Sequence, residues 1–373
     1  MFKNYFKTAW KNLLRNKVYS FINITGLSIG LACCMLIILY NKDEVSFDRF
    51  HKNAATIYRI TSERIQPDGK VEGKSGITGM MPGPAFKSKI PEVKEFVRLQ
   101  GEQFPVKVGT EIFDQQATYV DDNFFDVFSF PLKAGNKKDV MKDLYSVVLS
   151  EEVAKKFFGT ADAMGKVLEL PTGDNGAFQN FKVAGIVPKS PQNSSLKIQM
   201  LLPMKLNLRE GRADNQWINF YLNTFVVLQP GADIKNVEAK FKKVYEADAA
   251  DQIKEGKEKY NMTETFRYGL QPLLDMHLST DYSAQNGLTD ASNPIYTKIL
   301  GGIALFMLLI ACINFVNLTV ARSLKRAKEI GVRKVIGGER KQLIAQFLGE
   351  SFIMSFFSFV LAIALVLLVL PLF

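Results

Sequence analysis

Three stretches of the chain, residues 18–40, 299–321 and 351–373, contain no charged side chain. Each is 23 residues long, and about 20 apolar residues in a helix cross a hydrocarbon core of roughly 30 Å. The pattern predicts a membrane protein with three transmembrane α-helices. Ahead of the first, Phe2, Tyr5, Phe6, Ala9, Trp10, Leu13 and Leu14 recur at spacings of three and four, with lysines over much of the opposite face. Residues 1–17 therefore read as an amphipathic helix lying in the inner membrane interface, with Trp10 at headgroup level. A cleaved signal peptide fits less well. The apolar stretch exceeds the ~15 residues of such segments and runs into Asn41, Lys42, Asp43 and Glu44 without a small-residue cleavage site.

Residues 41–298 mix the two periods and predict a large α+β extracytoplasmic domain of two lobes between the first and second spans. Strands are expected over 56–61, over 104–120 folded at Gly109, and over 145–149. Ser150 is a natural N-cap, Glu151 and Glu152 an acidic first turn, and Gly159 a left-handed stop for the short helix between them. Residues 166–170 and 181–187 read as further strands, the second closed by Pro188. Strand 224–228 is followed by Pro230-Gly231, then Asp233 and a stripe of Ile234, Val237, Phe241, Val244 and Tyr245 at helical spacing. Residues 266–278 supply a returning strand. The polar, glycine-containing stretches 66–79, 171–179 and 279–293 read as loops.

Charge adds the orientation. The chain has 47 Lys+Arg against 37 Asp+Glu, a net of +10. Half of that excess lies before the first span, at Lys3, Lys7, Lys11, Arg15 and Lys17. The other half lies between the second and third spans, where eight basic residues face Glu329, Glu339 and Glu350. In residues 41–298 acidic and basic residues balance. Positive charge marks the cytoplasmic side, so both basic segments are expected inside and the neutral domain outside. No basic surface is left on that domain for a nucleic-acid backbone, which excludes nucleic acid as a partner. Cys33, Cys34 and Cys312 all fall in predicted spans, so the outer domain is no disulfide scaffold.

Catalytic patterns fail on inspection. GKVEGKS at residues 69–75 has three residues between its glycines where a phosphate loop needs four, and GTADAMGKV at 159–167 ends in Val where Ser or Thr is required. The two histidines, His51 and His277, have no metal-ligand spacing to a second His or Cys. Ser150 with His277 lacks a nucleophile-elbow pattern and reads as a cap. The chain is expected to be no enzyme.

The segment after the second span reads ARSLKRAKEIGVRKVIGGERKQLIAQFLGESF, residues 321–352. Charges surround a short apolar set, Leu324, Ile330, Val332, Val335, Ile336, Leu343, Ile344 and Phe347, which suits either a solvated basic connector or a helix docking into a partner's groove. These residues resemble the intracellular signature of the FtsX/MacB-like family of ABC transporter permeases: Glu329-Ile330-Gly331, the basic pair Arg333-Lys334, Gly337 and a final FLGES. The resemblance extends along nearly the whole chain. AWKNLLRNK and NITGLSIGLA near the start, DRFHKNAATIYRI at 48–60, DNFFDVFSFPLKAG at 122–135, VVLSEEVAKKFFG at 147–159, FKVAGIV at 181–187 and INFVNLTVARS at 313–323 are similar to such permeases.

The resemblance implies a MacB-type periplasmic domain over 41–298, with an inserted lobe at roughly 120–205, spans at 18–40, 299–321 and 351–373, and a coupling loop at 322–350. It implies a permease subunit of the bacterial inner membrane, its N-terminus cytoplasmic. A separate cytoplasmic ABC ATPase subunit binds the ATP, so the chain itself needs no cofactor. Arg326, Glu329, Ile330, Gly331, Arg333, Lys334 and Ile336 are the expected contacts to that ATPase. Two permeases, as a homodimer or pseudo-dimer, would transmit nucleotide-driven movement to their periplasmic domains. The cargo would be an amphipathic compound, peptide or lipoprotein, handed on with a periplasmic or outer-membrane partner. Gly26 and Gly30 form a GxxxG, and Asn314 and Asn317 are amides within a span; both pairs are expected to serve helix packing. The family module has four spans where this chain shows three, which reads as a truncated version. A membrane-anchored extracytoplasmic sensor or regulatory subunit, including control of cell-wall enzymes, is the alternative.

Overall fold

The computed structural model describes residues 17–172, 176–208, 214–289, 291–325, 331, 335 and 340–372. The chain divides into a membrane unit, Met1–Val45 with Ile295–Phe373, and a large domain, Ser46–Pro294.

Three helices, Lys17–Val45, Pro294–Lys325 and Arg340–Val369, make the membrane unit. Their membrane-length parts are Lys17–Val45, Pro294–Ala321 and Phe347–Leu372. A buried amide or hydroxyl has no water to turn to in lipid, so polar side chains bond back along their own helix. Asn23 Nδ2 donates to Tyr19 O at 3.1 Å, Thr25 Oγ1 to Phe21 O at 2.6 Å and Ser358 Oγ to Met354 O at 2.9 Å. Ala32 of the first helix packs with Ala362 and Val366 of the third. Tyr19, Phe315, Ile353 and Met354 bring all three helices together, and Tyr19 and Thr319 share a hydroxyl bond of 3.1 Å.

The large domain is built on one sheet of ten strands: β1 (Ile57–Ile65), β2 (Val71–Ser75), β3 (Val93–Val108), β4 (Glu111–Val120), β5 (Ser146–Ser150), β6 (Val167–Pro171), β7 (Phe178–Val187), β8 (Met200–Pro203), β9 (Asn223–Leu228) and β10 (Thr265–Pro272). The order is β10-β1-β9-β3-β4-β8-β5-β7-β6, with β2 also on β1. Among the described residues only β4–β8 and β5–β7 are parallel.

Strand β3 belongs to both halves. Its residues 93–99 pair with β9, and 99–108 with β4. In the first half, helices Pro82–Lys89 and Ile234–Asp248 cover Ile60, Val226 and Tyr268, with Phe86 stacked on Phe241 at 3.9 Å. The helical stripe read from sequence supplies Val237, Phe241 and Tyr245 to this core. In the second half the sheet curls until β6 meets β3 at Lys107↔Glu169, closing a six-stranded ring. Side chains two apart on every strand fill it: Phe104 and Val106, Ala117 and Tyr119, Val147 and Leu149, Leu168 and Leu170, Phe181 and Val183, Met200 and Leu202. That is the inward set of a small barrel, filled by side chains. The ring takes up residues 104–120 as well as the later stretch. A third core lies beside it, with Phe124, Phe128, Phe130, Val187, Leu201 and Phe225.

The expected strands, the turn at Gly109 (φ 61°) and the αL stop at Gly159 (φ 69°) are present, except that the returning strand expected over 266–278 ends at Pro272, where Leu273–Asp275 turn into a 3-10 helix. Stretch 66–79 corrects the loop expectation, because GKVEGKS contains β2. That strand is polar because it lies at a sheet edge, where water satisfies one side, and Arg64–Glu72 ties it to β1 at 3.1 Å. Strand β8, helix Pro82–Lys89 and helix Ala250–Tyr260 are additions.

Candidate functional site

Two places draw the sequence-predicted residues together, the interior of the membrane unit and the first residues of the large domain. On the first membrane helix, Gly26 and Gly30 lie one turn apart and face the second. A Cβ on Gly30 would stand 2.7 Å from the Cβ of Ala311, and one on Gly26 would stand 3.5 Å from Nδ2 of Asn314. The glycines thus let two backbones of the same chain approach, as small residues do in lipid. Higher on the same pair, Asn41 Nδ2 donates to Thr297 O at 3.3 Å. Asn317 is exposed on the second helix. Of the residues expected to contact an ATPase, Gly331 is helical and exposed. Arg326, Glu329, Ile330, Arg333, Lys334 and Ile336 lie outside the described residues, as does nearly all of the predicted 1–17 helix.

Both histidines sit near the start or the end of the large domain and both are buried. His51 is packed against Phe50, Phe128 and Phe130, and its Nδ1 accepts from Ser129 N at 3.0 Å. Burial pushes its pKa down to about 4. His277 stacks on Phe47 with centroids 3.3 Å apart. Asp48 is fully buried, accepts from Ser195 N at 2.9 Å, and has its pKa raised by burial against the opposing pull of the Ser194 and Ser195 hydrogen bonds and of His277. Ser150 Oγ accepts from Val153 N at 3.3 Å, so the hydroxyl serves as a helix cap.

Arg59 is a buried guanidinium on β1. Nε and Nη2 donate to Oε1 of Gln271 at 3.0 and 2.6 Å, and Nη1 and Nη2 reach Ser283 O and Tyr282 O at 3.3 Å. Burial lowers its pKa to about 10. The acceptors are a side-chain amide and two carbonyls of the segment leading toward the second membrane helix. Clefts of about 340 Å³ lie beside β10, at Glu63, Glu238, Arg267 and Tyr282, and beside β3, at Lys87, Glu95, Asp122 and Lys205. Glu63 pairs with Arg267, Lys87 with Glu95 and Lys205 with Asp122, while Glu238 accepts from Leu270 N at 2.9 Å. Among the described residues no three His, Cys, Asp or Glu side chains converge as metal ligands. The buried groups around Asp48 and Arg59 have no local signal in the sequence, because their partners lie between 145 (Asp48 to Asn193) and 224 (Arg59 to Ser283) residues away.

The profile of the MacB-like periplasmic core domain matches residues 20–244, and that of the FtsX-like permease C-terminal segment matches residues 301–373. The uncharacterised ABC transporter permease YvrN of Bacillus subtilis is 23% identical, over 94% of this chain and 82% of that protein. The pyoverdine export ATP-binding/permease protein PvdT of Pseudomonas syringae is 21% identical over 94% of this chain, which spans 49% of it. Among solved structures, a domain of a permease from Porphyromonas gingivalis covers 60% of this chain and 91% of itself, at 21% identity and a TM-score of 0.49.

Proposed function

The chain belongs to the ABC transporter permeases that carry a MacB-like periplasmic core domain and an FtsX-like C-terminal segment, and from that premise we propose how it works. It is a subunit of the bacterial inner membrane with its N-terminus and basic loop inside. A separate cytoplasmic ATPase grips that loop through Arg326, Glu329, Ile330, Arg333, Lys334 and Ile336. Closure of the ATPase moves the membrane helices, and the helices move the large domain outside. Cargo is amphipathic and is exported or extracted along that domain. The class of cargo follows relatives named for macrolide and pyoverdine export.

One observation carries this reading. A single folded domain, Ser46–Pro294, has both of its ends continued by membrane-length helices, and the charge excess lies entirely in the segments beyond those helices. Such a domain receives any cytoplasmic signal through its two chain passages. Affinity purification of the full chain from membranes provides the test. An ATPase is expected to co-purify, and Glu329→Arg together with Ile330→Asp is expected to release it. If no ATPase co-purifies and the double variant leaves every phenotype intact, the coupling reading is wrong.

A further inference from the structure

The first residues after the first membrane helix do not simply enter the sheet. Ser46 and Asp48 grip residues 193–195, which belong to the connection from β7 to β8. Asp48 N donates to Asn193 O at 2.9 Å, and Asn193 Nδ2 donates to Ser46 O and Oγ at 3.2 and 2.8 Å. Ser195 N and Ser194 Oγ donate to Asp48 Oδ1 at 2.9 and 3.4 Å. The same strap is held from its other side. Thr289 N donates to Ser195 O at 3.0 Å, and Leu196 bridges to Leu288, five residues or so before the second membrane helix begins. Both chain passages between membrane and domain therefore converge on one connector of the barrel lobe.

Two features of Asp48 make the grip costly. Its φ is +58°, in the left-handed region that residues with a side chain rarely adopt. Its side chain is fully buried, and Oδ2 has no hydrogen-bond partner. An unpaired polar atom in such a place forfeits the hydrogen bonds that water would give it. Parting the strap would relax the backbone and hydrate the carboxyl, so the closed and open arrangements lie closer in energy than the number of bonds suggests.

We propose that residues 46–48 and 193–195 form a latch that parts during each transport cycle, loosening the hold of the first chain passage on the connector from β7 to β8, while His51 and Lys52 stay anchored on Ser129. The latch rests on the permease reading above and adds to it the place where motion enters the lobe. Its geometry makes it a narrow contact on a continuous sheet. Strands β7 and β8 remain held by their neighbours when it opens, so the lobe shifts without unfolding.

The test uses the full chain with Cys33, Cys34 and Cys312 replaced by alanine, carrying Ser46→Cys and Asn193→Cys, co-purified with its ATPase and reconstituted in proteoliposomes. Oxidation should form the disulfide, abolish most ATP hydrolysis, and leave it recoverable by reduction, while the hydrolysis of each single-cysteine variant, whatever its level, should not change on oxidation. Failure of the disulfide to form, or unchanged hydrolysis once it has formed, overturns the latch. A second measurement needs no ATPase. Hydrogen exchange on the detergent-solubilised chain should show the amides of Asp48 and Ser195 exchanging faster than the equally buried amides of β9, and equal protection overturns the latch as well. Absence of a co-purifying ATPase would instead count against the permease reading.

Discussion

Arg59 shows what a single buried charge does in this fold. Its guanidinium spends its donors on Gln271, Tyr282 and Ser283, and no room is left beside it: a Cβ on Gly76 would lie 2.3 Å from its Cζ. Arg59→Ala leaves those acceptors buried without donors, a loss on the order of 3 kcal/mol. Gly76→Ala pushes the guanidinium aside and is expected to cost about 1–3 kcal/mol. Denaturant titration of both variants checks the pair. His51 makes a pH-dependent contribution. Its folded pKa of about 4 lies below the ordinary 6.5, so its stabilisation is complete above pH 6.5 and disappears as pH falls toward 4, about 3 kcal/mol in all. His51→Asn, which still accepts from Ser129 N, should flatten that part of a melting-temperature profile. Asp48 works in the opposite sense. Its pKa is raised by burial, so its contribution is present below pH 3.8 and lost as pH rises through the folded value.

At the scale of elements, packing between backbones decides which small residues matter. Gly30→Ala meets the Cβ of Ala311, whereas Gly26→Ala finds ordinary contact with Asn314. The first should weaken the pairing of the first two membrane helices by about 1–3 kcal/mol and the second should be near neutral, as read from thermal unfolding in detergent. Ser150→Ala should cost about 1 kcal/mol through loss of its helix cap, measured the same way. These elements were legible because their signals are local. GxxxG is a spacing, and Ser150 to Gly159 carries a cap, acids in the first turn and a stop. The missed elements have no such signal. The four residues of β8 are all buried, so they do not alternate, and β2 is a polar edge strand. Helix Pro82–Lys89 begins Pro-Gly-Pro, which in isolation reads as a turn.

For the whole molecule, charge and hydropathy gave the division into membrane unit and large domain, since both follow from composition over tens of residues. The contacts that make a site out of Ser46, Asp48, Asn193 and Thr289 were invisible, because nothing local fixes a pairing across such separations. With three cores on one sheet and a balanced charge, residues 46–294 expressed alone should fold and unfold in one cooperative transition, as followed by circular dichroism. Two separate transitions would mean that the barrel half and the helix-covered half are independent bodies.

Strand β3 argues against such independence. Leu99 faces Val120 on one neighbour and Asn223 on the other, so the strand that starts the barrel is the strand that ends the first half. An evolutionary exchange of lobes has a single seam to respect. A replacement must leave and re-enter beside Leu99 with the same alternation of sides, because a one-residue slip there would turn every barrel side chain inside out. Loops at the tips of the barrel carry no such condition. Diversity among transporters built on this plan should therefore collect at those tips, and residues around Leu99 should change only together.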